Sequence, residues 1–301
     1  MADTESTRSA QQRLVIVILA VTFASLFYRM TVFKHLEQTS LLFVGIPAAV
    51  AILVSLTPAA KTVTGSILKA MTIALLISGI LLGEGFICIL MASPLFYAVG
   101  IIVGRVIDAS QKKNNRTTMT CLLLAAFVPM SLEGTKPQLS FPREESVAVE
   151  RVVSASAAEV TAALAQSPRT DGKLPLYLSM GFPRAVGATG AGLRPGDLRV
   201  IHFAGGEGKP GDLVMQVAES RQGLVRFVAL SDKSKVAHWL AWRGATVEWT
   251  AVDPTHTRVR WQLDFRRDLD PAWYFRTWER YAVGLAAEYL IENNATPAKG
   301  R

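Results

Sequence analysis

Cysteine is almost absent: the chain's two, Cys88 and Cys121, both fall inside apolar runs, so a disulfide framework is excluded and the redox compartment is not encoded there. Metal and nucleophile signatures are lacking as well. His202, His238 and His256 stand alone, with no His-Glu-x-x-His helix and no cluster at ligand spacing, which argues against a structural or catalytic metal. No Gly-x-Ser-x-Gly elbow occurs, and Gly205-Gly-Glu-Gly-Lys209 is followed by Pro210, where a phosphate loop needs Ser or Thr. A hairpin loop is expected there instead, and no cofactor is expected anywhere. Lys and Arg are dispersed despite a net charge of +8, and no basic stripe forms. Nucleic acid is therefore not an expected partner.

Charge is what the first 132 residues lack. Leu14 to Phe33, Ser40 to Leu56, Met71 to Val103 and Thr118 to Leu132 are apolar runs nearly free of it, whereas nothing beyond Phe141 approaches the roughly 20 residues that span a bilayer. The composition predicts an N-terminal transmembrane helical bundle over 1–132, a linker over 133–145, a soluble domain over 146–295 and a tail over 296–301. The run from Met71 to Val103 is too long for one span and offers Gly83-Glu84-Gly85 and Ser93-Pro94 as break points. About five segments follow, near 14–33, 40–57, 66–91, 94–109 and 117–132. With the N-terminus inside, Arg8, Arg13, Lys61, Lys69, Arg105, Lys112, Lys113 and Arg116 fall on one side, as the positive-inside rule favours. This arrangement predicts an integral protein of the bacterial cytoplasmic membrane with its soluble domain on the outer face, and makes the lipid bilayer an expected partner. Glu84 is the one carboxylate deep in the apolar stretch; at a span end it is an interfacial loop residue, within a span it needs a partner or water.

The second half alternates. Ser146 to Ser154 reads as a strand, and Ser156 with Glu159 has capping-box spacing before a helix to about Gln166. Strand patterns recur at Asp197–Phe203, Asp212–Glu219, Leu224–Ser231, Val236–Arg243, Ala245–Asp253 and Thr257–Arg266, separated by turn residues. In the last of these Val259, Trp261, Leu263 and Phe265 share one face and Arg258, Arg260, Gln262 and Asp264 the other, the pattern of an antiparallel sheet with a dry and a wet side. Gly187-Ala-Thr-Gly-Ala-Gly192 is Gly-rich but leads into the turn Arg194-Pro-Gly-Asp197, and predicts a mobile or tightly bent strand rather than a dinucleotide fingerprint. The chain closes with a helix to about Asn293, for which Asp270 is the expected N-cap and Pro271 the first residue. Its stripe Tyr274, Trp278, Tyr281, Leu285 and Tyr289 is expected to bury itself against the sheet.

Strand, short helix, curved meander and final helix make an α+β helix-grip arrangement. The stretch Arg258-Val-Arg-Trp-Gln-Leu-Asp-Phe-Arg-Arg-Asp-Leu-Asp-Pro-Ala-Trp-Tyr-Phe-Arg-Thr-Trp-Glu279 resembles the last strand and helix start of membrane-attached members of the START-like (SRPBCC, polyketide cyclase and lipid-transport) superfamily. Leu174 to Pro183 is similar to the segment that crosses the cavity mouth in them. The resemblance covers about residues 145–295 and implies a cavity between sheet and helix that holds a small hydrophobic ligand.

Met215, Phe227, Trp239, Trp249, Trp261, Trp278 and Tyr281 are the candidate wall of such a cavity, with His238 and Glu248 as polar tips. The leading expectation is a membrane-anchored binding protein for a lipid or similar molecule. A cyclase- or hydratase-like enzyme using His238 or Glu248 as acid or base is a second reading. A ligand-sensing protein-interaction module is a third, and a protein partner is unknown.

Overall fold

The computed structural model describes residues 12, 14–20, 23–24, 46–57, 60–81, 86–113, 132–204 and 210–297. The chain divides into two compact units, Met1–Ser131 and Leu132–Arg301. Each is described by itself.

In the first unit, α1 (Ile46–Leu56), α2 (Val63–Leu81) and α3 (Phe86–Lys113) are apolar helices. Gly100 and Gly104, one turn apart on α3, face α2 so closely that an added Cβ would lie 2.6 Å from Met71 Sδ and 2.6 Å from Thr64 Cα. Asp108 caps α2: its Oδ1 accepts from the Val63 N–H at 2.8 Å and its Oδ2 from the Thr64 hydroxyl at 2.6 Å. That satisfies donors which a helix start leaves open.

The five-segment bundle is not supported. Among the described residues a single helix, Ile89–Ser110, is long and apolar enough to cross a membrane, and Val63–Ser78 is a shorter apolar helix. The expected segments near 14–33 and 117–132 lie mostly outside the described residues, as do Glu84 and Cys121, while the one near 40–57 is described from residue 46 on as the 11-residue helix α1, short of a full crossing. The run from Met71 to Val103 does divide, but between Leu81 and Phe86, not at Ser93-Pro94. Pro94 removes the N–H that would bond the Leu90 carbonyl. The Ser93 hydroxyl donates to that carbonyl instead, at 3.1 Å, and the helix continues.

The second unit is a seven-stranded antiparallel sheet, β1 (Glu144–Val153), β2 (Ala185–Thr189), β3 (Leu198–Phe203), β4 (Gly211–Arg221), β5 (Leu224–Asp232), β6 (Leu240–Asp253) and β7 (His256–Arg267), in the order β1-β7-β6-β5-β4-β3-β2. Between β1 and β2 come α4 (Ala157–Leu164) and the single turn α5 (Leu176–Ser179); α6 (Ala272–Asn294) follows β7. The curved sheet gripping a long last helix is the helix-grip architecture. Alternation sets its dry side: Leu213, Met215 and Val217 on β4, Val225 and Phe227 on β5, and Val259 to Phe265 at every second residue on β7 are all buried. The capping box at α4 is formed, with the Glu159 N–H donating to Ser156 Oγ and the Ser156 N–H to Glu159 Oε2.

Two boundaries differ from expectation, at β6 and at the start of α6, while the Gly-rich stretch does carry a bent strand. Val236–Arg243 is not a strand of its own; residues Lys235–His238 form a 3-10 turn, and the rest joins the next segment in one long β6, with a register shift between Trp242 and Gly244. That shift breaks the alternation that a sequence reading follows. β2 lies in the Gly-rich stretch, and a Cβ on Gly190, at φ +90°, would sit 2.0 Å from the Leu198 carbonyl oxygen. Only glycine suits that bend. Asp270 does not cap α6. It takes Arg143 and Arg267, the latter at 2.6 Å, while the Ala272 N–H donates to Glu133 Oε1 at 2.9 Å. Glu133 and Arg143, expected in a linker, thus lie folded against the start of α6.

Candidate functional site

Small residues on α6 open a space under large ones on the sheet. The helix turns Ala282, Val283, Ala286 and Leu290 toward the dry side, with Ala287 and Ile291 beside them in the core. Opposite stand Met215, Phe227, Trp242, Trp261 and Leu263. Alanine cannot fill the gap between backbone layers that aromatic side chains hold apart, and a cavity of about 260 Å³ remains. It admits an organic molecule of roughly ten to fifteen non-hydrogen atoms at interior packing density.

The segment after α4 covers one side. Pro168, Leu174, Leu178 and Phe182 line the cavity, and rings hold this cover to α6 and to the 3-10 turn. Tyr177 lies 5.1 Å from Tyr281 and stacks at 6.5 Å on Trp278, while Phe182 meets Trp239 edge-on at 5.6 Å. Burial, with Tyr281 and Tyr274 nearby, pushes the Tyr177 hydroxyl up to about 12, so it stays protonated at any ordinary pH.

Of the sequence-derived wall residues, the cavity brings together Met215, Phe227, Trp239 and Trp261. Trp249, buried on the same dry side, packs toward α4 and donates its indole N–H to Thr161 Oγ1 at 3.0 Å. Trp278 and Tyr281 are off the lining, Tyr281 being 54% exposed. The reason is helical phase. Tyr274, Trp278 and Tyr281 lie to the side of the Ala282, Ala286, Leu290 row, so they meet the cover segment rather than the sheet; Tyr289 alone of that stripe reaches the cavity. The polar tips fall elsewhere too. His238 is exposed on its 3-10 turn, and Glu248 points to the wet side, where it accepts from Arg260 Nη1 at 3.1 Å.

The polar group that does stand on the wall is Arg199. It is 7% exposed, it lies in phase with Ile201 and Phe203 on β3, and that placement of a cation on a dry face was the available sequence signal. Its Nη2 donates to the Leu164 carbonyl and, at 3.0 Å, to the Gly192 carbonyl. The first of these ties down a carbonyl that the end of α4 leaves open. Its Cζ sits 4.9 Å from the centre of the Phe227 ring. Desolvation brings the guanidinium down to about 10, against the pull of Asp197, and leaves it charged at neutral pH. Asn294, also on the lining, accepts the Arg169 N–H at 2.7 Å through Oδ1. Among the described residues no group of three or more His, Cys, Asp or Glu side chains is placed to hold a metal.

No family model matches the chain, and no curated protein matches it. Solved structures do. The Zhui aromatase/cyclase from Streptomyces sp. R1128 is 13% identical and similar over 50% of this chain and 90% of its own, with a TM-score of 0.35. A START superfamily protein from Mycobacterium smegmatis is 16% identical over 49% of this chain and 99% of its own, at a TM-score of 0.30. Norcoclaurine synthase from Thalictrum flavum is 9% identical over 50% of this chain and 95% of its own, at 0.32.

Proposed function

We propose that the chain is a binding protein for a small hydrophobic molecule, held between the sheet and α6. The observation that carries this reading is the cavity of about 260 Å³ with its almost wholly apolar wall, of the kind that buries most of a small ligand's surface. A tightly packed domain would have lost that volume to larger residues at 282 and 286, since voids cost stability. We further propose that the first unit tethers this domain to a bilayer through the apolar helix Ile89–Ser110, and that the domain stands on the outer face. A tether would keep a sparingly soluble ligand's reservoir close.

Native mass spectrometry of the full-length protein tests the binding reading: a co-purifying organic molecule is expected, and its loss in Ala286→Trp, whose indole would occupy the cavity. Bare protein in both forms, together with no uptake of added hydrophobic compounds, would overturn it. A reporter fused after Glu133 reads sidedness. A cytoplasmic signal would remove the outer-face assignment.

A further inference from the structure

The wall of the cavity is chemically one-sided. Four buried side-chain nitrogens on lining residues lack a hydrogen bond among the described residues: Arg199 Nε, Trp242 Nε1, Trp261 Nε1 and Asn294 Nδ2. All four are donors. The buried oxygens without partners, on Asp232, Ser234 and Glu279, belong to residues off the lining. An unpaired buried donor costs free energy, and a buried charge without a counter-ion costs more. Arg199 has both features: it makes no ion pair with a carboxylate among the described residues, and Asp197, whose charge does act on it, is accepting the Arg194 N–H at 2.8 Å.

Resting on the binding reading above, we propose that the ligand is an apolar molecule carrying one carboxylate, its head against the Arg199 guanidinium and its body along Phe227, Trp261 and Ala286. A carboxylate supplies acceptors only, which is what the wall is short of, and a charge-assisted bond to guanidinium is among the stronger polar contacts available. The backbone carbonyls on Nη2 fix the guanidinium in place, so little side-chain freedom is lost when the head arrives. The single anionic head follows from the lining: of its three arginines Arg199 alone is buried, whereas Arg169 is half-buried with its Nη2 on the Thr296 carbonyl and Arg184 is exposed to solvent.

Isothermal titration of the full-length protein, in detergent with micelle-only blanks, tests this with matched pairs: dodecanoate against dodecanol for chain-like ligands, and 1-naphthylacetate against 1-naphthylethanol for ring-like ones. In at least one pair the acid is expected to bind about tenfold or more tighter than its alcohol, and the pair that does so identifies chain or ring as the body. In Arg199→Met that preference should vanish, the acid falling to the alcohol's affinity, and Arg199→Lys should restore part of it. Should the Met variant fail to fold, the wild-type acid-to-alcohol ratio alone decides. Equal binding of acids and alcohols, or preference for the alcohols, overturns the carboxylate proposal and leaves the hydrophobic cavity standing. No binding by any of the four compounds, with bare protein in native mass spectrometry, overturns the binding reading itself.

Discussion

The two halves of α6 are held by opposite means. Around its first turns the side chains that matter are ionisable: Arg276 Nε and Arg280 Nη1 reach the buried Glu145 at 2.6 and 2.8 Å, Arg267 is fully buried against Asp270, and Glu279 lies 4% exposed close by. From Ala282 onward the helix rests mainly on apolar contacts above a void, with Glu288 paired to Arg151 at the surface and Asn294 on the Arg169 N–H at its end. One helix therefore serves as a clamp at its start and as a loosely filled roof toward its end. The difference teaches where stability and function separate: rigidity comes from the clamp, and volume from the small residues that follow it.

Breaking the clamp should have the largest effect. Arg267→Ala removes a buried cation from Asp270 and Glu279, and should cost about 3–5 kcal/mol, read as a fall in Tm of roughly 10 °C in thermal unfolding of the full chain followed by near-UV circular dichroism. Glu279→Gln sharpens the contrast in the other direction. Burial pushes the Glu279 carboxyl up to about 8, with Arg267 opposing. The folded state thus holds this proton more tightly than the unfolded one. Its contribution is complete below about pH 4.5, declines as pH rises, and is lost above about pH 8. The Gln variant should match wild type at pH 4 and exceed it by about 2–4 kcal/mol at pH 9; a parallel pH profile for the two proteins would refute the assignment. Glu133→Ala, which frees the Ala272 N–H, should cost about 1 kcal/mol, or roughly 2–4 °C in Tm. Filling the roof should matter least to stability: Ala286→Phe should shift it by under about 1.5 kcal/mol while abolishing uptake of hydrophobic compounds. A large loss of stability there would mean the space is packed rather than open.

Much of the sheet was legible because burial on one side forces a period of two. β7 reads directly from Val259 to Phe265, and the Ser156–Glu159 box marks α4 by local chemistry alone. The cavity was only half legible. Met215, Phe227, Trp239 and Trp261 follow from size and phase, but a void is made by what is small, and Ala282 and Ala286 carry no signal until the facing strand is known. Aromatic size misled at Trp278 and Tyr281, because a stripe on a helix announces a partner without naming it; the partner was Tyr177 on the cover segment, far away in sequence. Arg199 stands in phase with Ile201 and Phe203, but a lone arginine among apolar positions is more often on the wet side, so its phase alone does not mark it as a wall residue. The clamp was not legible, because Glu145 meets Arg276 and Arg280 only after the first strand and the last helix have come together.

Six tryptophans occur in the chain, and Trp239, Trp242 and Trp261 border one and the same cavity. The protein is thereby fitted with its own optical gauge. Two of those indoles, Trp242 and Trp261, have buried N–H groups without a hydrogen bond among the described residues, so their resting emission should be blue-shifted, and an arriving guest would alter its intensity. A simple fluorimeter, with no label attached, can follow occupancy in real time.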